Sequence, residues 1–223
     1  MIYITGDLHG DASRLKRFAR LIKRKRDFCL VCGDFGFVWD GSEAEKKTLA
    51  GLAKLDCTLL FVEGTHDNLT LLEQFPEEAY RGGTARRLAP NILWLHRGDI
   101  FDLDGVSVFA MGGGESTDAD ERRPQVNWWP QELPNAEELA RARENLAAHD
   151  NTVDLVITHQ RPRIELGLID ERRERISTLT AFLGELNRTL RYRHWYFGCD
   201  HLDREISGSM SALFERVVQF PQG

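Results

Sequence analysis

A chain of 223 residues, 42% hydrophobic and 29% charged, carries enough apolar surface for one large core, which excludes collagen-like, low-complexity and wholly disordered classes. Its formal net charge of −6 repels a phosphate backbone, so stable nucleic-acid binding is not expected. No stretch approaches the roughly 18 consecutive apolar residues of a membrane span, and "MIYITGDLHG" has no basic segment ahead of its apolar run, so the reading is a cytoplasmic protein without a membrane partner.

In chain order, "IYIT" at Ile2–Thr5 reads as a buried strand, followed by a helix from Ser13 to Lys25 with Leu15, Phe18, Ala19 and Ile22 on one face. The basic run Arg14 to Arg26 falls on that helix's other face and reads as solvated. A strand at Phe28–Cys32, a helix from Ser42 to Leu55 and a strand at Cys57–Val62 come next, and "HDNLTLLEQF" can start a helix at Asp67 or Asn68. Strands at Ile92–Leu95 and Val106–Met111, broken by "RGDIFDLDG", predict hairpin structure. The irregular region Gly112 to Pro134 has the length of a functional loop or lid, with Trp128 and Trp129 placed to anchor it. Asn135 opens a helix with Glu138 as its capping box, Val153–Thr158 is a strand, and Leu179, Phe182, Leu183, Leu186 and Leu190 form a helical stripe. Trp195–Phe197 and a hairpin in "REISGSMSALFERVVQF" complete the chain. Alternating strands and helices imply an α/β sandwich with mixed sheets flanked by helices, and the absence of a linker or repeat implies one domain over residues 1–223.

Cys29, Cys32, Cys57 and Cys199 are too scattered for a disulfide scaffold. Cys29 and Cys32 form a C-x-x-C inside a strand, where positions three apart face opposite ways, so buried thiols are expected.

The polar residues at the ends of the apolar runs form the most informative pattern. They are Gly6-Asp7-Leu8-His9, Gly33-Asp34, Gly64-Thr65-His66-Asp67, His159 and Gly198-Cys199-Asp200-His201. Loops beyond the carboxyl ends of α/β strands converge on one crevice, so these groups can meet there. Mixed Asp and His donors suit Mn, Fe or Zn ions better than calcium. Arg161 and Arg163 in "HQRPR", and Arg122 in the long loop, are candidate contacts for a substrate phosphate.

These motifs, "DLH", "GD", "GTHD", "TH" and "GCDH", resemble in order the calcineurin-like metallophosphoesterase superfamily, whose signature is D-x-H, G-D, G-N-H-[DE], H and G-H-x-H. "GDFGFVW", "GGGESTD" and "WWP" resemble its small bacterial and phage branch. The resemblance implies two divalent metals bridged by one aspartate. Asp7, His9, Asp34 and His201 would hold the first, and Asp34, Thr65, His159 and Cys199 the second. Thr65 stands where the family has Asn and Cys199 where it has His, so the second site is expected to be weakened, retuned toward a thiophilic metal, or empty. His66, oriented by the Asp67 carboxylate, would stabilise or protonate the leaving oxygen. The implied activity is metal-dependent hydrolysis of a phosphate mono- or diester on a phosphorylated small molecule or nucleotide-like substrate. The alternative is a catalytically weakened protein of the same fold acting as a metal- or phosphate-binding regulatory module.

Overall fold

The computed structural model describes residues 1–22, 27–116, 118–163 and 177–221. Two sheets lie face to face. The first has the order β13-β1-β2-β3-β6-β5-β4, where β1 is Ile2–Thr5, β2 Phe28–Cys32, β3 Thr58–Val62, β4 Glu77–Tyr80, β5 Gly83–Ala89, β6 Ile92–Leu95 and β13 Val218–Phe220. The second has the order β11-β12-β10-β9-β8-β7, where β7 is Asp99–Asp102, β8 Ser107–Met111, β9 Thr152–Thr158, β10 Arg191–Phe197, β11 Arg204–Ser207 and β12 Met210–Ala212. Both sheets are mixed: β1, β2, β3 and β6 run parallel, as do β8, β9, β10 and β12, and antiparallel strands close each edge.

The continuous apolar runs arise from burial on both faces. Ile2, Ile4, Leu30, Leu60, Val62, Val108, Leu155 and Ile157 point between the sheets and form the central core. Their neighbours one residue along point outward and are covered by helices. Tyr3, Cys29, Val31, Leu59 and Phe61 pack with Leu15 and Phe18 of α1 (Ala12–Ala19) and Leu52 of α2 (Glu43–Leu52). Phe109, Val156 and Trp195 pack with Ala142 and Leu146 of α4 (Ala136–Ala148) and with Leu179, Phe182, Leu183 and Leu186 of α5 (Thr178–Thr189). The Asn135–Glu138 capping box forms as the sequence implies, and Asn68 caps the short α3 (Leu69–Leu72). The first helix ends at Ala19, and the end expected at Lys25 lies outside the described residues.

Three differences from the sequence reading have physical causes. Strands β4 and β5 have no apolar run to announce them. Their register sets Glu77 opposite Arg86, and cross-strand pairs Arg86–Glu77 (2.9 Å) and Arg87–Glu78 hold a half-exposed edge. The segment from Ile92 to Met111 is not one hairpin, because β6 belongs to the first sheet and "DIFD" is itself β7, paired with β8 in the second. The chain turns back instead at Asp104 and Gly105, both at positive φ. In the C-terminal segment β11 and β12 do form a hairpin, but β13 leaves it to pair with β1.

The long loop from 112 to 134 is held by the buried Glu132 carboxylate. It accepts from the Ser116 N–H (2.7 Å), the Ser116 hydroxyl (2.8 Å) and Trp128 Nε1 (3.0 Å). Trp129 is buried edge-on against Trp39, so the paired tryptophans do anchor the loop.

Candidate metal centre

The loops after β1, β2, β3, β9 and β10 meet at one end of the two sheets. Those after β1 and β2 are stitched together by the Asp34 carbonyl, which accepts from the N–H groups of Leu8 (3.0 Å) and His9 (2.8 Å). His9, Asp34 and His201 all lie in the left-handed region, at φ 49°, 39° and 49°. Non-glycine residues held there cost backbone energy and persist where tertiary contacts over-determine them. Gly64 has its place because a Cβ there would stand 2.1 Å from Asp34 Oδ1.

Asp7, His9, Asp34 and His201 bring ligand atoms to within 4.8 Å of one another. His9 Nε2 and His201 Nε2 are 3.0 Å apart, the separation of two nitrogens each about 2.1 Å from one ion and set at roughly a right angle. Asp7 Oδ2 lies 3.1 Å from His201 Nε2 yet is a buried acceptor without an aligned hydrogen-bond donor. Two buried carboxylates, two facing imidazole nitrogens and an orphaned oxygen fit a divalent cation.

His159 is buried beside this cluster, with Nδ1 3.3 Å from Asp7 Oδ1 and Nε2 3.8 Å from Asp34 Oδ1. Burial opposes its charge, but the facing carboxylates of Asp34 and Asp7 raise it to about 10. Burial likewise opposes ionisation of Asp34, and the neighbouring His159 and His66 outweigh it and hold the carboxyl well below its usual range. The carboxylates thus already draw positive charge to this point, the electrostatic condition for holding a metal.

The other sequence candidates fall in different places. His66 donates its backbone N–H to Asp34 Oδ1 (2.8 Å) and sets Nδ1 2.9 Å from Asp34 Oδ2. Asp67, expected to orient His66, instead accepts backbone N–H groups of Gly36 (2.8 Å), Gly64 (3.0 Å) and Phe35 (3.1 Å) and clamps two loops together. Burial, with the charge of Asp34, raises its carboxyl to about 7. The Thr65 hydroxyl lies 3.2 Å from His66 Nδ1. The Cys199 thiol points at Asp200 Oδ1 (3.5 Å), outside the four-residue cluster, and burial pushes it well above the ordinary thiol range. Arg161 pairs with Asp200 (3.3 Å), whereas Arg163 is exposed beside α5.

A cleft of about 460 Å³ opens over the cluster, lined by Asp34, Thr65, His66, Arg122, His159 and Arg161 among others. Glu115, Ser116, Asp118 and Gln160 also line it. A side chain delivered by an irregular loop leaves no periodic signal, so Glu115, Ser116 and Gln160 were not legible in the sequence. Beneath the rim Glu63, at the end of β3, binds the Arg97 Nε and accepts from Trp94 Nε1 at 2.5 Å. Arg97 Nη2 donates in turn to the Gln131 carbonyl at 2.8 Å, tying the long loop to the end of the strand that leads into Thr65 and His66.

Among solved structures the chain is similar to a protein named as a candidate 5′-nucleotidase from Staphylococcus aureus, in complex with α-ketoglutarate, at 13% identity and a TM-score of 0.51. That likeness covers 96% of this chain and 48% of the other, so the chain spans about half its length. A phosphopantetheinyl hydrolase from Mycobacterium tuberculosis matches at 14% identity and a TM-score of 0.44, over 96% of this chain and 87% of that one. A protein of unknown function from Aquifex aeolicus matches at 15% and 0.39, over 83% and 92%. No curated protein matches the sequence. The family model described as calcineurin-like phosphoesterase matches residues 1–214, which takes in every strand-end motif of the cluster, and the chain belongs to that family.

Proposed function

We propose that this protein is a divalent-metal-dependent phosphoesterase of a single domain, acting on a phosphate mono- or diester of a small or nucleotide-like molecule. The observation that carries this reading is the orphaned Asp7 Oδ2 within a cluster whose two histidine nitrogens face each other at 3.0 Å. Asp7, His9, Asp34 and His201 would hold one Mn, Fe or Zn ion firmly, with Asp34 and His159 the remaining donors toward a second. A bound ion in such a site polarises phosphoryl oxygens and lowers the pKa of water. The chain's own residues bind and orient: Asp34 fixes His66 at the cleft wall, Asp67 fixes the two loops that carry Asp34 and His66, and Arg122 and Arg161 bring positive charge to the rim. A cytoplasmic setting suits four cysteines that remain free thiols.

The experiment is hydrolysis of p-nitrophenyl phosphate and bis-p-nitrophenyl phosphate by protein supplied with Mn²⁺, Fe²⁺ or Zn²⁺, beside Asp34→Asn. Turnover lost in Asp34→Asn supports the reading; metal-free protein that takes up no Mn²⁺ or Zn²⁺ in calorimetry ends it. The contacts of Thr65 with His66 and of Cys199 with Asp200 favour the second reading, a regulatory module with one metal. Tight metal binding without turnover on either ester selects that one.

A further inference from the structure

His201 is the least buried of the four cluster residues. Asp7 and Asp34 lie inside the protein, whereas the His201 side chain is 47% exposed, on the turn that follows β10. Its Nε2 faces Asp7 Oδ2 and His9 Nε2, and its Nδ1 has no hydrogen-bond partner among the described residues. A ligating histidine is ordinarily aimed by an acceptor on its other nitrogen, which fixes the ring. Here ring packing takes that place. His9 meets the imidazole edge-on at 4.8 Å between centroids, and Phe214 lies along its face at 5.0 Å with 27° between the planes.

Phe214 is itself held from several sides. It sits on the crossover from β12 in the second sheet to β13 in the first, and Asp203, two residues beyond His201, fastens that crossover. The Asp203 carboxylate accepts from the N–H groups of Phe214 (2.8 Å), Glu215 (3.2 Å) and Arg216 (3.0 Å). The Thr5 hydroxyl, at the end of β1, reaches the carbonyls of Phe214 (3.3 Å) and Arg216 (3.1 Å). Arg14 of α1 donates through Nη2 to the Phe214 carbonyl and sets its guanidinium carbon 4.5 Å from the centre of the ring. The crossover also abuts the loop that bears Asp7, since a Cβ on Gly6 would stand 1.9 Å from the Leu213 carbonyl oxygen. The backbone just after His201 thus grips the segment whose ring returns to stack on His201.

We propose that Phe214 is a positioning residue for the metal ligand His201, with Asp203 and Arg14 holding its ring in place. The inference rests on reading the four-residue cluster as a metal centre. A ring stacked on the imidazole restricts its side-chain torsions, so less freedom is lost when Nε2 binds the ion. Phe214 offers no ligand atom and does not line the cleft, so it acts on metal affinity through His201.

The test is calorimetry of Zn²⁺ into the chelator-treated full chain, with urea unfolding of each metal-free protein alongside. It compares the parent, Phe214→Tyr, His201→Ala and Phe214→Leu, the last alone and combined with His201→Ala. Leucine keeps apolar bulk without a ring face, and tyrosine keeps the face. Asp203→Ala, which frees the crossover backbone without removing the ring, takes the place of Phe214→Leu in both backgrounds if the leucine variant does not fold. Phe214→Leu should weaken Zn²⁺ by about 10–100-fold, the effect of losing an orienting partner, while Phe214→Tyr should bind as the parent does. Once His201 is gone the ring has nothing to aim, so Phe214→Leu should cost no further affinity in the His201→Ala background. Equal weakening in the two backgrounds would assign Phe214 to the fold alone and overturn the proposal. Parent-like affinity in Phe214→Leu, or a tyrosine variant as weak as the leucine one, would overturn it too. A parent that binds no Zn²⁺ ends the metal reading and this inference with it, whereas a parent that binds Zn²⁺ beside any of those results refutes the positioning role and leaves the metal centre standing.

Discussion

Replacing Gly198 by alanine tests whether close approach of backbone to ligand is what assembles the metal centre. A Cβ on Gly198 would lie 1.8 Å from Asp7 Oδ1 and 2.4 Å from the Cys32 carbonyl oxygen, where real Cβ contacts essentially never fall below 3.0 Å. Asp7 Oδ1 must therefore retreat by at least 3.0 − 1.8 = 1.2 Å and the Cys32 carbonyl by 3.0 − 2.4 = 0.6 Å. Neither movement is cheap, since Asp7 is fully buried and Cys32 ends a central strand. Overpacking of this kind costs about 1–3 kcal/mol. Metal–ligand distances tolerate only about 0.2 Å, so a carboxylate displaced this far ceases to be a ligand. Even a partner one shell further out is worth about 10–100-fold in affinity, so loss of Asp7 should weaken Zn²⁺ by at least about 100-fold. The assay is calorimetry of Zn²⁺ into chelator-treated protein, with urea unfolding of the metal-free chain alongside. Gly51→Ala is the control, because in α2 an added Cβ meets nothing within 4 Å. It should stabilise by about 0.5–1 kcal/mol and leave Zn²⁺ affinity unchanged. Undiminished Zn²⁺ affinity in a folded Gly198→Ala would refute the reasoning.

The second half-site gives a further expectation: Thr65→Asn together with Cys199→His should raise metal stoichiometry and Mn²⁺-dependent phosphoesterase activity above either single change. An amide oxygen and an imidazole would stand in place of a hydroxyl beside His66 and a protonated thiol turned to Asp200. Elemental analysis finding two metals per chain in the unaltered protein, with no gain in the double variant, would sink it. Glu63→Gln should destabilise the fold by about 3 kcal/mol, because it strips the buried Arg97 charge of its closest carboxylate. Among the described residues Arg97 then keeps Glu138 at 3.3 Å and the carbonyls of Gln131 (2.8 Å) and Glu132 (3.3 Å). Urea unfolding reads the change, and a loss well under 1 kcal/mol would mean the pair is not the anchor of the loop.

The amino-acid sequence by itself determined the strands buried on both faces, because an apolar run such as "FCLVC" leaves no polar position to turn toward water. It also placed the polar strand-end groups at one edge, since parallel strands deliver the loops at their carboxyl ends together, while the choice of Asp7, His9, Asp34 and His201 as one ligand set came from the family resemblance. The helix cap at Asn135 was legible, since its bonds span three residues, whereas the cap of α3 was narrowed only to Asp67 or Asn68, and the structure places it at Asn68. Tertiary structure alone decided the rest. The strands β4 and β5 exist because Glu77 and Glu78 find Arg86 and Arg87 across the register, a pairing that no local period records. Whether Ile92–Leu95 paired with the next strand or with β3 depended on competition between two sheets rather than on the turn residues between them. The sequence neighbour of His66 is Asp67, but its hydrogen-bond partner is Asp34, because the backbone N–H groups of Phe35, Gly36 and Gly64 already occupy Asp67. Arg122 reaches His66 from 56 residues away on an irregular loop. Its position is set by the buried anchors Glu132 and Trp129, contacts that only the folded chain brings together.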